Sequence, residues 1–161
     1  INIQETEYHG GSLRIFIKEE QSSYGNKLVQ SFIKKEDRQG LFKKKTYLKF
    51  MENIQSRKML LLKKILKYKS QNYKIVGIGA AAKANTFINY MGFNHEMIDF
   101  VTDISKFKIG KWLPLSRIPI KHDNKIRNIK KLCIIVLSWN LSKILKPKIL
   151  KINKYAKLIS F

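Results

Sequence analysis

A single cysteine, Cys133, occurs in the 161 residues. An intrachain disulfide and a multi-cysteine zinc site are therefore excluded. Its setting, Leu132-Cys133-Ile134-Ile135-Val136-Leu137, is apolar, which points to a small buried core residue. No apolar stretch approaches the roughly 20 residues that span a bilayer, and no signal-peptide pattern opens the chain. No membrane contact and a reducing, cytoplasmic setting are the resulting expectations. Histidine is scarce: His95, His122 and Asp123 form no recognisable triad or metal spacing, and no paired histidines or carboxylates stand ready for acid–base work. No complete catalytic apparatus is therefore expected within these residues. The first residue is Ile1 rather than Met, which suggests a piece of something longer.

Acid is scarce as well. Lys and Arg number 33 against 11 Asp and Glu, a net charge of +22, and from Asn124 to Phe161 there is no acid at all. Such a balance ordinarily suggests nucleic acid or an anionic surface. Here the lysines are scattered and lack the arginine and aromatic interleaving of a base-stacking surface. Lys, Ile and Asn are also what A/T-rich codons specify. A solvated basic face is favoured over a nucleic-acid site, and a role in attracting a phosphorylated substrate stays open.

What is present is an alternation of strands and helices. Residues 1–45 carry a leading strand, Ser12 to Lys18, and a short helix, Asn26 to Glu36, ending near Gly40. Residues 46–70 hold a long helix with Thr46 as N-cap, its stripe from Tyr47, Phe50, Met51 and Ile54 to Leu61, Leu62, Ile65 and Tyr68 packing on the sheet or a missing neighbour. Residues 71–161 then read as a βαβ core. Its strands are Tyr73–Ile78, Ile98–Thr102 and Leu132–Leu137, with Ile118–Ile120 a short extended piece around Pro119 and Lys157–Phe161 a candidate last strand. Its helices are Lys83–Met91, stopped at Gly92, and Leu141–Asn153, kinked or restarted at Pro147, with Leu141, Ile144, Leu145, Ile149 and Ile152 inward. Continuous apolar strands imply a single α/β domain, Rossmann-like and doubly wound, its mostly parallel sheet covered by helices on both faces.

In such a sheet, ligands bind at the carboxyl ends of the strands. Three groups converge there: Gly79 to Asn85, then Thr102-Asp103, then Ser138-Trp139-Asn140. Gly77-Ile78-Gly79-Ala80-Ala81-Ala82 formally fits a dinucleotide fingerprint, and Asp103 falls near the ribose-binding acid expected roughly 20 residues on. Lys83, next in line, would suit a phosphate. A tight turn without a ligand remains open, as does a Trp139 that merely covers the sheet edge. His9-Gly10-Gly11-Ser12-Leu13-Arg14 is a further candidate, offering a titratable group, a hydroxyl and a fork of donors.

Four segments, taken in order, form a known pattern: His9 to Arg14; Gly79-Ala80-Ala81-Ala82-Lys83-Ala84-Asn85-Thr86 to Tyr90; Lys106 to Pro114 with Ile118-Pro119-Ile120; and Ser138-Trp139-Asn140-Leu141. From about Glu7 to Phe161 the chain resembles the C-terminal domain of the sugar-nucleotide C-methyltransferases. These enzymes use S-adenosylmethionine to methylate a carbon of a nucleotide-linked keto-deoxysugar. The resemblance implies three modules: a small zinc-binding part, a central methyltransferase domain, and this Rossmann-like domain. S-adenosylmethionine and the catalytic base would belong to the central module, outside this sequence. The present domain would hold the nucleotide-linked sugar against that module. Lys83, Asn85 and Thr86 match the family's Lys-Gly-Asn-Thr segment; His9, Ser12 and Arg14 its His-Gly-Gly-Ser-Leu-Arg segment; Trp139 and Asn140 its Trp-Asn. The substrate-binding set so implied, completed by Gly79 and Asp103, assigns Lys83 and the turn amides to phosphates and Trp139 and Asn140 to base or sugar. The chain departs from the family in having Ala81 for Pro, Ala84 for Gly, Leu115 for Gly after Leu113-Pro114, and Lys131-Leu132 for Pro-Asp. Ala84 is expected to narrow the backbone approach at the turn. Two other functions compete with this one: a dinucleotide-binding oxidoreductase domain using Gly77, Gly79, Ala82 and Asp103, and a basic nucleic-acid-binding module.

Overall fold

A computed structural model describes residues 2–19 and 27–159. Two compact units form, residues 1–57 and 58–161. In the first, β1 (Asn2–Thr6) pairs antiparallel with β2 (Ser12–Phe16), which stops short of Lys18, and Ile3 stands opposite Ile15. The sequence pattern does not announce β1, because Asn2-Ile3-Gln4-Glu5-Thr6 carries a single apolar side chain and is held by main-chain pairing. Helix α1 (Lys27–Arg38) follows, with Lys35 paired to Glu5 of β1 at 2.6 Å. Asn26 lies outside the described residues. Gly40, at φ +74°, turns the chain after α1.

Helix α2 (Lys44–Ser70) begins before Thr46, so that residue is inside its first turn and not its cap. Only the C-terminal half of its stripe is buried. Leu61 and Ile65 enter the core, while Tyr47, Phe50 and Met51 are exposed, Phe50 at 58 %.

The second unit is a five-stranded sheet in the order β5-β4-β3-β6-β7, every neighbouring pair parallel. Its strands are β3 (Lys74–Ile78), β4 (Phe100–Asp103), β5 (Ile120–His122), β6 (Leu132–Val136) and β7 (Lys157–Ile159). Helix α3 (Ala82–Met91) connects β3 to β4, and α4 (Ser142–Ile152) connects β6 to β7. Strand side chains alternate between two cores because successive Cβ atoms point to opposite faces. Ile75, Val101, Cys133 and Ile135 pack with Leu61 and Ile65 of α2 and Ala84 and Ile88 of α3. Val76, Ile78, Ile134 and Val136 pack with Ile149 and Leu145 of α4. The expected Rossmann-like, doubly wound α/β sheet is therefore present. Burial pushes the Cys133 thiol up to about 12, as suits a core cysteine.

Several local expectations are corrected. Strand β4 starts two residues later than Ile98, and the extended piece around Pro119 gives a strand shifted forward to Ile120–His122, with Pro119 bridging back to Trp112. Helix α4 runs through Pro147 and is preceded by a 3-10 turn, Trp139–Leu141. Leu141 and Ile144 are exposed rather than inward, because only one flank of the helix meets the sheet. Ser160 and Phe161, expected in the last strand, lie outside the described residues. No described helix is long and apolar enough to cross a membrane.

Candidate functional site

Strand β3 is followed by Gly79, whose N–H donates to the Thr102 carbonyl at 2.8 Å and whose φ is +92°. Only glycine holds that conformation without strain, and a Cβ there would run into the Ser138 hydroxyl. Gly77 answers a different need. A Cβ on it would lie 2.5 Å from Leu137 Cδ1 and 2.9 Å from Val101 Cγ2, so it permits close strand packing. The Gly77-x-Gly79 spacing thus has a steric cause in both positions.

Beyond Gly79 the chain turns directly into α3. The residue before the helix, Ala81, is extended and offers no side-chain cap. The N–H groups of Ala82 and Lys83 therefore have no intrahelical acceptor, and the positive end of the helix dipole lies beside them. The Ala84 side chain is wholly buried in the core between α3 and the sheet, in the cluster that also holds Ala80 of the turn.

Strands β3 and β6 are neighbours, so the turns after them meet. They do so through three predicted residues. Lys83 Nζ donates to Asn140 Oδ1 at 2.8 Å and stands 5.3 Å from the centroid of the Trp139 ring. The Trp139 indole, 42 % exposed, is held edge-on against Phe87 with centroids 6.4 Å apart, and Phe87 leans in turn on Phe93. The support of Trp139 by Phe87 is not read from the sequence, although both lie in the resembling segments. An ammonium, an amide and an aromatic edge thus stand beside an open helix N-terminus, a setting that suits a phosphate next to a ring.

Asn85 and Thr86 occupy the first turns of α3. Asn85 Oδ1 is buried without a hydrogen-bond partner, whereas the Thr86 hydroxyl donates to the Ala82 carbonyl at 3.4 Å.

Asp103 closes β4, and protein donors engage both of its carboxylate oxygens. Oδ1 accepts the Ser105 N–H at 2.9 Å; Oδ2 accepts the Ala80 N–H at 3.0 Å and Lys108 Nζ at 3.1 Å. Burial alone would push its carboxyl up. The Ser105 N–H, the Lys108 ammonium and the Ala80 N–H together hold it below the usual value. Asp103 therefore pins the turn after β3 to the loop after β4. Neither Ser105 nor Lys108 is foreseen as its partner, because the loop's return path is not encoded in any local pattern.

The first unit carries its own candidates. The Ser12 hydroxyl donates to the Tyr8 carbonyl at 2.9 Å, and Arg14 Nη1 donates to Gln4 Oε1 at 3.3 Å on the paired strand. Both engage the β1–β2 hairpin itself. The His9 side chain lies outside what is described.

Leu115, where the resemblance leads to an expectation of glycine, takes φ +64° and is 86 % exposed. It therefore holds a left-handed backbone that favours glycine.

The family described as the C-methyltransferase C-terminal domain matches residues 7–159. A curated relative, C-methyltransferase NovU of Streptomyces niveus, is 24 % identical over 141 residues, covering 87 % of this chain and 34 % of its own length. The chain thus spans about a third of the curated relative it matches. With a parallel Rossmann-like sheet, a glycine turn opening α3, and a family match over nearly all its length, the chain belongs to the C-methyltransferase C-terminal domain family.

Proposed function

We propose that this domain holds a nucleotide-linked keto-deoxysugar for a C-methyltransferase that uses S-adenosylmethionine. The observation that carries this reading is the meeting of Lys83 with Trp139 and Asn140 beside the open N-terminus of α3. The Ala82 and Lys83 N–H groups and the Lys83 ammonium would bind the diphosphate. Trp139 and Asn140 would orient the adjoining ring, the first by its aromatic surface and the second by hydrogen bonds. The unpartnered Asn85 Oδ1 asks for a donor close by. The surrounding lysines, part of a net charge of +22, would draw a dianion toward the edge.

S-adenosylmethionine supplies the methyl group in this chemistry, but these residues do not suit it. Its sulfonium would meet the Lys83 cation, and Asp103, the acid placed to take ribose hydroxyls, is already engaged by Ala80, Ser105 and Lys108. We assign it to the methyltransferase module of a longer protein, the partner against which this domain would present its sugar. The domain's contribution would be proximity and orientation. The engagement of Asp103 also weighs against the dinucleotide reading.

Titration of the chain with a nucleotide sugar, NAD and a short DNA duplex tests the proposal. A nucleotide sugar is expected to shift resonances of Lys83 and Trp139, and Lys83→Ala to weaken its binding about tenfold, the loss expected for a hydrogen bond to a charged group. Stoichiometric NAD binding that disappears in Asp103→Ala would replace the proposal with the oxidoreductase reading. Salt-steep DNA binding without any small-ligand response would replace it with the nucleic-acid one.

A further inference from the structure

A cleft of about 210 Å³ lies on the α4 side of the same carboxyl edge. Its walls are largely apolar, with Ile78 of β3 on one side and Leu145, Ile149 and Ile152 of α4 on the other. Five polar side chains interrupt them, Thr102, Asp103, Asp123, Ser138 and Lys148, and two of these carry a buried oxygen without a partner. Thr102 is wholly buried, and its Oγ1 has no hydrogen-bond partner. Asp123, just after β5, has its Oδ1 buried and likewise without a partner. Native proteins rarely leave such atoms unpaired, and two in one small cleft indicate a ligand that pairs them.

The chemistry of the two atoms narrows that ligand. A carboxylate oxygen can only accept, whereas a threonine hydroxyl can accept or donate. The complement is a group carrying neighbouring O–H donors, with an apolar face for the isoleucines and Leu145. A sugar ring has both. The cleft is also firmly built. Asn153, at the end of α4, donates to the carbonyls of Ile126 and Ile129 at 2.8 and 2.9 Å, which fixes the segment carrying Asp123 against that helix. Gly79, which begins the turn toward α3, and Ser138, which begins the turn after β6, both line the cleft, so the cleft adjoins the proposed diphosphate position.

We infer that this cleft receives a hydroxylated ring of the nucleotide sugar, with ring hydroxyls donating to Asp123 Oδ1 and paired with Thr102 Oγ1. The inference rests on the sugar-nucleotide reading above for what brings the ring there. It assigns ring recognition to α4, β4 and the turn after β5, and leaves the diphosphate to α3.

Methyl NMR of the 161-residue chain labelled at isoleucine tests it, with dTDP-glucose, inorganic pyrophosphate, thymidine and methyl α-D-glucopyranoside as probes. The last two distinguish a pentose from a hexose as the ring bound. The nucleotide sugar is expected to shift the methyls of Ile78, Ile149 and Ile152, with Ile88 in the opposite core as a control. Asp123→Asn is expected to weaken that binding about tenfold, as for a lost hydrogen bond to a charged group, and to leave pyrophosphate binding unchanged. Thr102→Val, of nearly the same shape, serves as a second variant should Asp123→Asn fail to fold, and is expected to act in the same direction. Lys83-dependent nucleotide-sugar binding with still cleft methyls, or unaltered in both variants, overturns the inference and leaves the sugar-nucleotide reading standing. Ring probes that move the cleft methyls, without Lys83-dependent binding of pyrophosphate or nucleotide sugar, uphold the cleft and overturn that reading. Silence from every probe overturns both.

Discussion

The Asp103 carboxylate accepts the backbone N–H of Ala80 at 3.0 Å, tying the end of one central strand to the turn that leaves its neighbour. Lys108 joins the same oxygen from the following loop. Three segments at the carboxyl edge thus share one anion, and the turn entering α3 is held before any ligand arrives.

The acid limb of stability should report this arrangement. The Asp103 carboxyl is held below its ordinary 3.8, so its ionised form favours the folded state. Its contribution is complete above about pH 4, the value of an unfolded carboxyl, and is lost as pH falls through the lower folded value. Asp103→Asn should lower the urea midpoint by a constant amount from pH 7 to pH 5, with a narrowing gap to the parent below about pH 4. Urea melts at stepped pH check this. A gap that widens on acidification would contradict it.

Gly79→Ala should destabilise the chain by about 1–3 kcal/mol through backbone strain alone, since φ is +92° there. The clash with the Ser138 hydroxyl adds to that. Combining it with Ser138→Ala should recover part of the loss and not all, because the Ser138 Cβ still stands 3.0 Å from the new methyl. A double-mutant cycle on urea midpoints measures the coupling.

Leu115→Gly is expected to stabilise the chain by about 0.5–1 kcal/mol. A branched side chain in the left-handed region loses roughly 1–2 kcal/mol, partly offset by the greater freedom of glycine when unfolded. The side chain is 86 % exposed, so little packing is lost with it. Thermal melting of the two proteins gives the sign directly.

The Cys133 thiol should resist modification in the folded chain. It is wholly buried and its pKa is pushed up to about 12, so almost no thiolate exists at neutral pH. Ellman's reagent should titrate it only in denaturant. Rapid labelling in buffer would show that β6 opens.

Much of this architecture can be read from the chain alone. The continuous runs at Ile75-Val76, Phe100-Val101 and Leu132 to Leu137 announce strands covered on both faces, and the residues after them mark the ligand edge. Lys83, Trp139 and Asn140 meet because β3 and β6 do. The limits have physical causes. The stripe on α2 extends over its whole length, yet burial depends on what lies opposite: Leu61 and Ile65 enter the core, with Leu62 and Tyr68 partly buried against it, while Tyr47, Phe50 and Met51 stay exposed. Ala84, a substitution at the turn in sequence, faces the core once α3 is wound. The pairing of Asp103 with Ser105 and Lys108 depends on a loop returning on itself. Thr102 and Asp123 become a pair of unpartnered oxygens only when α4 closes over the edge.

The hydrogen bond between Lys83 and Asn140 spans 57 positions of the chain. Everything between them, including β4, β5 and β6, must be in register before that contact can form. Closing so long a separation is slow compared with winding α3. Competence to bind at Lys83 should therefore arise late in refolding, after helical signal has recovered. A ligand that needs both residues would then slow unfolding rather than speed folding, lengthening the life of the assembled sheet.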